Sequence, residues 1–144
     1  MHRTRFLAVA AAVAASAAML TPAAALAGGR PLSTDLIGSN EPGGGDPDGT
    51  GHFSMTVNLG HSEICYDLTV ANLDPVVAAH IHSAPAGING PVVVPLVAPV
   101  SGSSSDCITV DPSLAKAIAK APQAFYVNVH TTVFPGGAIR GQLG

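Results

Sequence analysis

The stretch that decides the fold class is His-Phe-Ser-Met-Thr-Val-Asn-Leu at residues 52–59. Apolar and polar side chains alternate along its whole length, which is the pattern of a half-buried β-strand. The side chains expected to point toward a core are Phe53, Met55, Val57 and Leu59. Their polar neighbours are expected to face away from it.

The same alternation recurs at residues 64–70 and again around residues 107–110. Clusters of Gly, Pro, Asn and Asp separate these segments from further short apolar runs. Those runs predict strands at residues 32–38, 76–82, 92–97, 124–130 and 138–143. Eight short strands are typical of an all-β protein, so we predict an antiparallel, Greek-key-like β-sandwich.

One segment has the pattern of a helix instead of a strand. Asp111 is a suitable N-cap, Pro112 fits the first helical position, and Leu114 and Ile118 fall on one face of a helix that continues through Lys120. We therefore predict a single short helix that connects two strands.

The first 27 residues have the features of a secretory signal peptide. A basic start is followed by an apolar stretch at residues 6–20 and by the small-residue cleavage motif Ala25-Leu26-Ala27. A retained membrane span is the alternative, but the run is mostly alanine and Pro22 interrupts it. The expected product is one domain, residues 28–144, that is secreted or extracytoplasmic and has no membrane contact after cleavage.

Composition and charge exclude several classes of function. Only 10% of the 144 residues are charged, and the net charge of −3 becomes −5 once Arg3 and Arg5 are removed with the signal peptide. An acidic domain has no basic surface for nucleic acid. The sequence also lacks a Gly-x-Ser-x-Gly motif and a glycine-rich phosphate loop with lysine. These features favour a protein that is not an enzyme.

The two cysteines of the chain, Cys65 and Cys107, are expected to form a disulfide, because an extracytoplasmic compartment is oxidising. Two free thiols are the alternative. The alternation places Tyr66 and Ile108 toward the core and both cysteines on the polar side of their strands. A bridge on the outer face or at the edge of a sheet is therefore expected.

Three histidines lie on predicted strands with matching orientation. In His80-Ile81-His82, Ile81 is expected in the core, so both imidazoles lie on the opposite face with their Cα atoms ~7 Å apart. In the strand at 124–130, the residues expected on the outer face are Tyr126, Asn128 and His130.

The closing strand is expected to expose Arg140 and Gln142. The sequence thus predicts that one outer-face neighbourhood contains His80, His82, Asn128, His130 and Arg140.

This cluster has two interpretations. Three imidazoles can bind Zn²⁺ or Cu²⁺, with Asn128 and Arg140 in a surrounding shell. Alternatively, each imidazole is structural and forms hydrogen bonds to the carbonyl groups of the long loops after residues 82 and 130.

The loop between Asn40 and Gly51 contains Glu41, Asp46 and Asp48. Its Asp-Pro-Asp-Gly sequence lacks the regularly spaced acids of a Ca²⁺ loop. We predict a solvated acidic turn.

Six stretches of the mature chain share one family pattern, namely residues 36–42, 65–70, 79–82, 87–94, 126–131 and 134–143. In these stretches the chain resembles a CHRD domain, the module that is repeated in the secreted protein chordin and occurs singly in many microbial secreted proteins. The resemblance implies an extracellular β-domain.

A fainter similarity connects the chain with copper/zinc superoxide dismutases. Those proteins are β-sandwiches with a His-x-His strand, a later copper-binding histidine and an arginine near the C-terminus. The matching residues are His80, His82, His130 and Arg140, and the similarity implies that Arg140 guides small anions. Alternatively, Arg140 is the partner of a surface carboxylate. No histidine lies between His82 and His130, so the bridging histidine and the following zinc ligands have no counterpart.

Two hypotheses of function follow. The first is a non-catalytic extracellular binding or structural module, whose partner would be an extracellular protein or a small ligand. The alternative is a β-sandwich metalloprotein that binds copper or zinc through His80, His82 and His130 and that can be redox-active.

Overall fold

Eight strands, one α-helix and two 3-10 helices of three residues each, Gly38–Asn40 and Pro122–Ala124, make up the described part of the chain. The computed structural model describes residues 29–144, and the predicted signal peptide at residues 1–27 lies outside them. The helix is α1 (Pro112–Lys120). The strands are β1 (Arg30–Ile37), β2 (Thr50–Asn58), β3 (Glu63–Ala71), β4 (Val76–Ser83), β5 (Val92–Leu96), β6 (Ser103–Thr109), β7 (Phe125–Thr131) and β8 (Ile139–Gln142).

The strands form one antiparallel sheet in the order β5-β4-β7-β8-β1-β2-β3-β6. The halves β5-β4-β7-β8 and β1-β2-β3-β6 meet between β8 and β1, where the register contains only the pair Ile37 and Arg140. The chain passes between the halves after β3, β5 and β6, so neighbours in sequence are not always neighbours in the sheet. The prediction of an all-β, Greek-key-like sandwich with about eight strands and one helix is confirmed.

Both halves of the sheet contribute to one hydrophobic core, together with α1. Phe53, Met55 and Val57 are buried as predicted. Leu59 is 55% exposed, so its expected core position is wrong. The reason is that β2 ends at Asn58, where the chain turns toward β3 and the alternation no longer determines orientation.

The connecting helix begins as the sequence predicts. The Asp111 side chain accepts hydrogen bonds from the hydroxyl of Ser113 and from the backbone N–H of Ser113, the latter at 2.7 Å, and both bonds lower the pKa of the Asp111 carboxyl. Ile118 is fully buried against the core. Within residues 29–144, no helix is long and apolar enough to span a membrane.

A disulfide joins Cys65 of β3 to Cys107 of β6. The two residues are direct partners in the antiparallel register, with their Cα atoms 4.0 Å apart. Because β6 is the last strand of the sheet, the bridge lies at the sheet edge, one of the two positions that the sequence predicted.

Candidate functional site

Three adjacent strands carry the predicted cluster. His80 on β4 is opposite Asn128 on β7, and Asn128 is in turn opposite Arg140 on β8. His130 is opposite Ala78, so it is the diagonal neighbour of His80. Since side chains alternate between the faces of a sheet, these residues all lie on the face directed away from Ile81 and the main core.

The three histidines are in mutual contact. The Nδ1 atom of His80 is 3.2 Å from the Nε2 atom of His130. The His82 ring centroid is 5.5 Å from that of His80 and 6.4 Å from that of His130. One nitrogen from each ring lies within 4.8 Å of the other two, so a single ion can contact all three rings.

Part of the outer face is closed to solvent: Asn128 and Arg140 are buried there, whereas His80 and His130 are half-buried. The loop at residues 84–91 covers the part around Arg140, because Arg140 and Gln142 donate hydrogen bonds to this loop. Asn128 is 2% exposed and Arg140 is 1% exposed. The expectation of an exposed Arg140 in a surface cluster is therefore wrong. A strand pattern distinguishes the two faces of a sheet, but it does not reveal that a loop covers one of them.

Backbone carbonyls fix the orientation of two imidazoles. His82 Nδ1 donates to the Gly90 carbonyl at 2.9 Å, and His130 Nδ1 donates to the Pro135 carbonyl at 3.0 Å. A carbonyl only accepts, so each Nδ1 carries a proton, and in the neutral ring each Nε2 presents a lone pair. The Nε2 of His82 is buried and has no hydrogen-bond partner within the described chain.

Asn128 adds an oxygen to this cluster. Its Nδ2 donates to a carboxylate oxygen of Glu41 at 3.4 Å, and its Oδ1 therefore faces the Nε2 of His130 at 3.1 Å. When His130 is neutral with its proton on Nδ1, these two atoms are both acceptors. Their contact is unfavourable unless a cation or a proton lies between them.

The pKa values of two histidines favour the neutral form. Burial lowers the pKa of His80, and repulsion from His130 and His82 lowers it further. Burial also lowers the pKa of His130, against the opposite effect of its bond to Pro135. Both rings are therefore neutral at pH 7, the state in which imidazole binds metals.

Acid should destabilise the fold through these two rings. In the presence of a chelator, the free energy of unfolding is expected to decrease as the pH falls below ~6.5, because the unfolded chain then binds protons that folded His80 and His130 do not. The slope is at most about 1.4 kcal/mol per pH unit for each histidine. The decrease in the free energy of unfolding should stop once the pH falls below the lowered pKa values of His80 and His130 in the folded state. Urea unfolding between pH 7.5 and 5 measures it.

The matched control is the variant His80→Gln/His130→Gln, whose pH slope should be smaller. Burial raises the pKa of Glu41, so Glu41 contributes with the opposite sign, stabilising at low pH. Comparison with the variant isolates the contribution of His80 and His130 to the pH slope, since both proteins keep Glu41. Equal slopes in the two proteins would contradict the assignment.

Glu41 is a site residue that the residue patterns did not predict. It was expected in a solvated acidic turn, but Glu41 and Asp46 are each 7% exposed, so that expectation is wrong for both. Asp46 accepts hydrogen bonds from the backbone N–H groups of Asp48 and Gly49, which close the turn. The only sequence signal for Glu41 was its place in the stretch at residues 36–42 that resembles the CHRD domain.

Comparison with known protein families identifies a match over most of the chain. Residues 32–143 match the CHRD domain family. This stretch begins within β1, ends after β8 and contains all of the candidate site residues. No curated protein and no solved structure matches the chain.

Proposed function

The chain belongs to the CHRD domain family, and from this premise we propose that it is a non-catalytic extracytoplasmic module that binds one Cu²⁺ or Zn²⁺ ion through His80, His82 and His130. The observation that carries the proposal is the buried Nε2 atom of His82, which has no hydrogen-bond partner within the described chain. A buried polar atom without a partner is costly, and a bound cation would satisfy it.

The orientation of the rings supports metal binding. Metal-bound histidines generally donate their second ring N–H to a carbonyl or carboxylate, which fixes the tautomer and increases the basicity of the ligand nitrogen. His82 and His130 already make this bond, to Gly90 and Pro135. Both rings therefore have the arrangement of metal ligands.

The distances fit a small coordination sphere. Ligand nitrogens of a tetrahedral ion at ~2.05 Å are about 3.4 Å apart. The nitrogens of His80 and His130 are 3.2 Å apart, and one nitrogen of each of the three rings lies within 4.8 Å of the other two. A movement of the His82 ring by at most about 1.4 Å, the difference between 4.8 Å and 3.4 Å, brings the third nitrogen into range. Imidazole suits both Zn²⁺ and Cu²⁺, and Cu²⁺ is expected to bind more tightly.

A second candidate is a purely structural role of the same residues, as in the hypothesis of a structural module. The observation that favours it is that His82 and His130 each tie a loop to the sheet through a carbonyl group. Such anchors would stabilise the fold without any ion.

Thermal and urea unfolding of the exported protein, with and without metal, separates the two candidates. After chelation, Zn²⁺ or Cu²⁺ at 100 times the dissociation constant should increase the free energy of unfolding by about 2.7 kcal/mol. In His82→Gln the increase should be much smaller. Calorimetric titration should give one ion per chain.

The control for this experiment is His52→Gln. His52 lies outside the cluster and pairs with Asp35 at the surface, so this variant should respond to metal as the wild type does. If metal leaves the wild type unchanged and His82→Gln costs only about 1 kcal/mol, the net value of one hydrogen bond, the structural role is correct.

The extracytoplasmic location rests on residues 1–27, which we propose to be removed after Ala27. The disulfide between Cys65 and Cys107 supports it, because such bridges persist in oxidising compartments.

A further inference from the structure

Arg140 is a buried cation whose side-chain hydrogen bonds, within the described residues, all go to one loop. Its guanidinium donates to the carbonyl of Ile88 at 2.7 Å, to the carbonyl of Pro85 at 3.3 Å and to Oδ1 of Asn89 at 3.2 Å. None of these acceptors is a carboxylate. Burying a charge is expensive unless hydrogen bonds compensate it, so the loop and the arginine hold each other in place.

The same loop carries the carbonyl group that orients His82. Gly90 follows Asn89 directly and accepts the hydrogen bond from His82 Nδ1. Its own N–H donates to the hydroxyl of Tyr126 at 3.3 Å. A Cβ atom on Gly90 would lie 2.1 Å from the carbonyl oxygen of Ser83, so the backbone at this point fits closely against the end of β4.

Tyr126 forms a second connection between Arg140 and His82. The His82 ring is parallel to the Tyr126 ring within 5°, with centroids 4.7 Å apart. The guanidinium carbon of Arg140 lies 3.3 Å from the centroid of the same ring. Because β4 and β8 flank β7 on opposite sides, Tyr126 lies between the imidazole and the cation.

We infer that Arg140 is a positioning residue of the proposed metal site, because it holds the Gly90 carbonyl against His82 Nδ1 and so directs the Nε2 lone pair into the cluster. This replaces the role of an anion guide, since a guanidinium that is 1% exposed and bonded to the loop has no free face for an anion. The consequence for metal affinity rests on the proposed function. The consequence for the His82 tautomer does not.

The test is Arg140→Met, compared with the wild type in two measurements. Long-range ¹H–¹⁵N NMR of the chelated protein reports the tautomer of His82, and competition titration reports the dissociation constant for Zn²⁺. In the wild type, His82 should carry its proton on Nδ1. In the variant, the second tautomer should become populated, and the affinity for Zn²⁺ should fall by about 10- to 100-fold, the usual effect of losing a partner of a metal ligand.

The matched control is Arg30→Met. Arg30 also donates to a backbone carbonyl, that of Ala119, but it lies on β1 and far along the sheet from β4. This variant should keep the wild-type tautomer and affinity. If Arg140→Met does not fold, Arg140→Lys serves in its place, because it keeps the charge but cannot reach all three acceptors, and it should shift the tautomer in the same direction.

The outcomes separate this inference from the proposed function. A variant that keeps a single Nδ1–H tautomer and a dissociation constant within twofold of the wild type overturns the role of Arg140. A different result separates the two claims: the wild type binds no ion, but the Arg140 variant still loses the Nδ1–H tautomer of His82. This result overturns the metal site and leaves the positioning role of Arg140 correct.

Discussion

Replacing both cysteines with serine is expected to decrease the free energy of unfolding by about 4 kcal/mol. Cys65 and Cys107 are 42 residues apart, and the bridge removes the conformational entropy of that loop from the unfolded chain. A domain of this size is stabilised by only about 5–15 kcal/mol in total, so the loss is a large fraction of it. Urea unfolding of Cys65→Ser/Cys107→Ser against the oxidised wild type measures the difference.

The reduced wild type is the control. Adding a reductant should bring it close to the double variant and leave the double variant itself unchanged. In the double variant, the two serines occupy the paired positions of the cysteines in β3 and β6, so the strand register is kept. The comparison therefore isolates the contribution of the cross-link to stability. A difference below ~1 kcal/mol would exclude a major role for the bridge, and two alkylatable thiols in the native exported protein would exclude the bridge itself.

Phe53→Ala should have an effect of similar size, about 3–5 kcal/mol, because it leaves a cavity in the core. Phe53 is fully buried at the centre of β2, and its ring stacks on Tyr66 with centroids 5.7 Å apart. The surrounding strands are fixed by pairing on both sides, which limits how far they can collapse into the cavity. Thermal and urea unfolding both measure this loss.

Val133→Ala is the matched control for this substitution. Val133 is 59% exposed, so its truncation should change the free energy of unfolding by no more than about 0.5 kcal/mol. Similar losses for both variants would mean that burial in this core is not what stabilises the fold.

The alternation of apolar and polar residues was sufficient to predict most of the fold. Together with the Gly, Pro, Asn and Asp clusters that bound the other apolar runs, it located all eight strands to within a few residues, and the spacing around Asp111 located the helix. These predictions hold because successive side chains of a strand point to opposite faces, so a half-buried strand needs an apolar residue at every second position. They fail where a strand ends, as at Leu59, since no periodic constraint acts in a turn.

The sequence also determined which residues could form the site. The parity of His80, His82, Asn128, His130 and Arg140 placed them on one face, and antiparallel pairing of β4, β7 and β8 brings them together. The pairing of Cys65 with Cys107 followed from their number and orientation.

Only the tertiary structure decided the environment of these residues. The burial of Arg140 and Asn128, the approach of Glu41 and the lack of a partner for His82 Nε2 among residues 29–144 all depend on loops that fold over the outer face of the sheet. The groups that orient His82 and His130 are the carbonyls of Gly90 and Pro135. Every residue has a backbone carbonyl, so no residue type marks these acceptors in the sequence, and loops have no periodicity from which their path can be read.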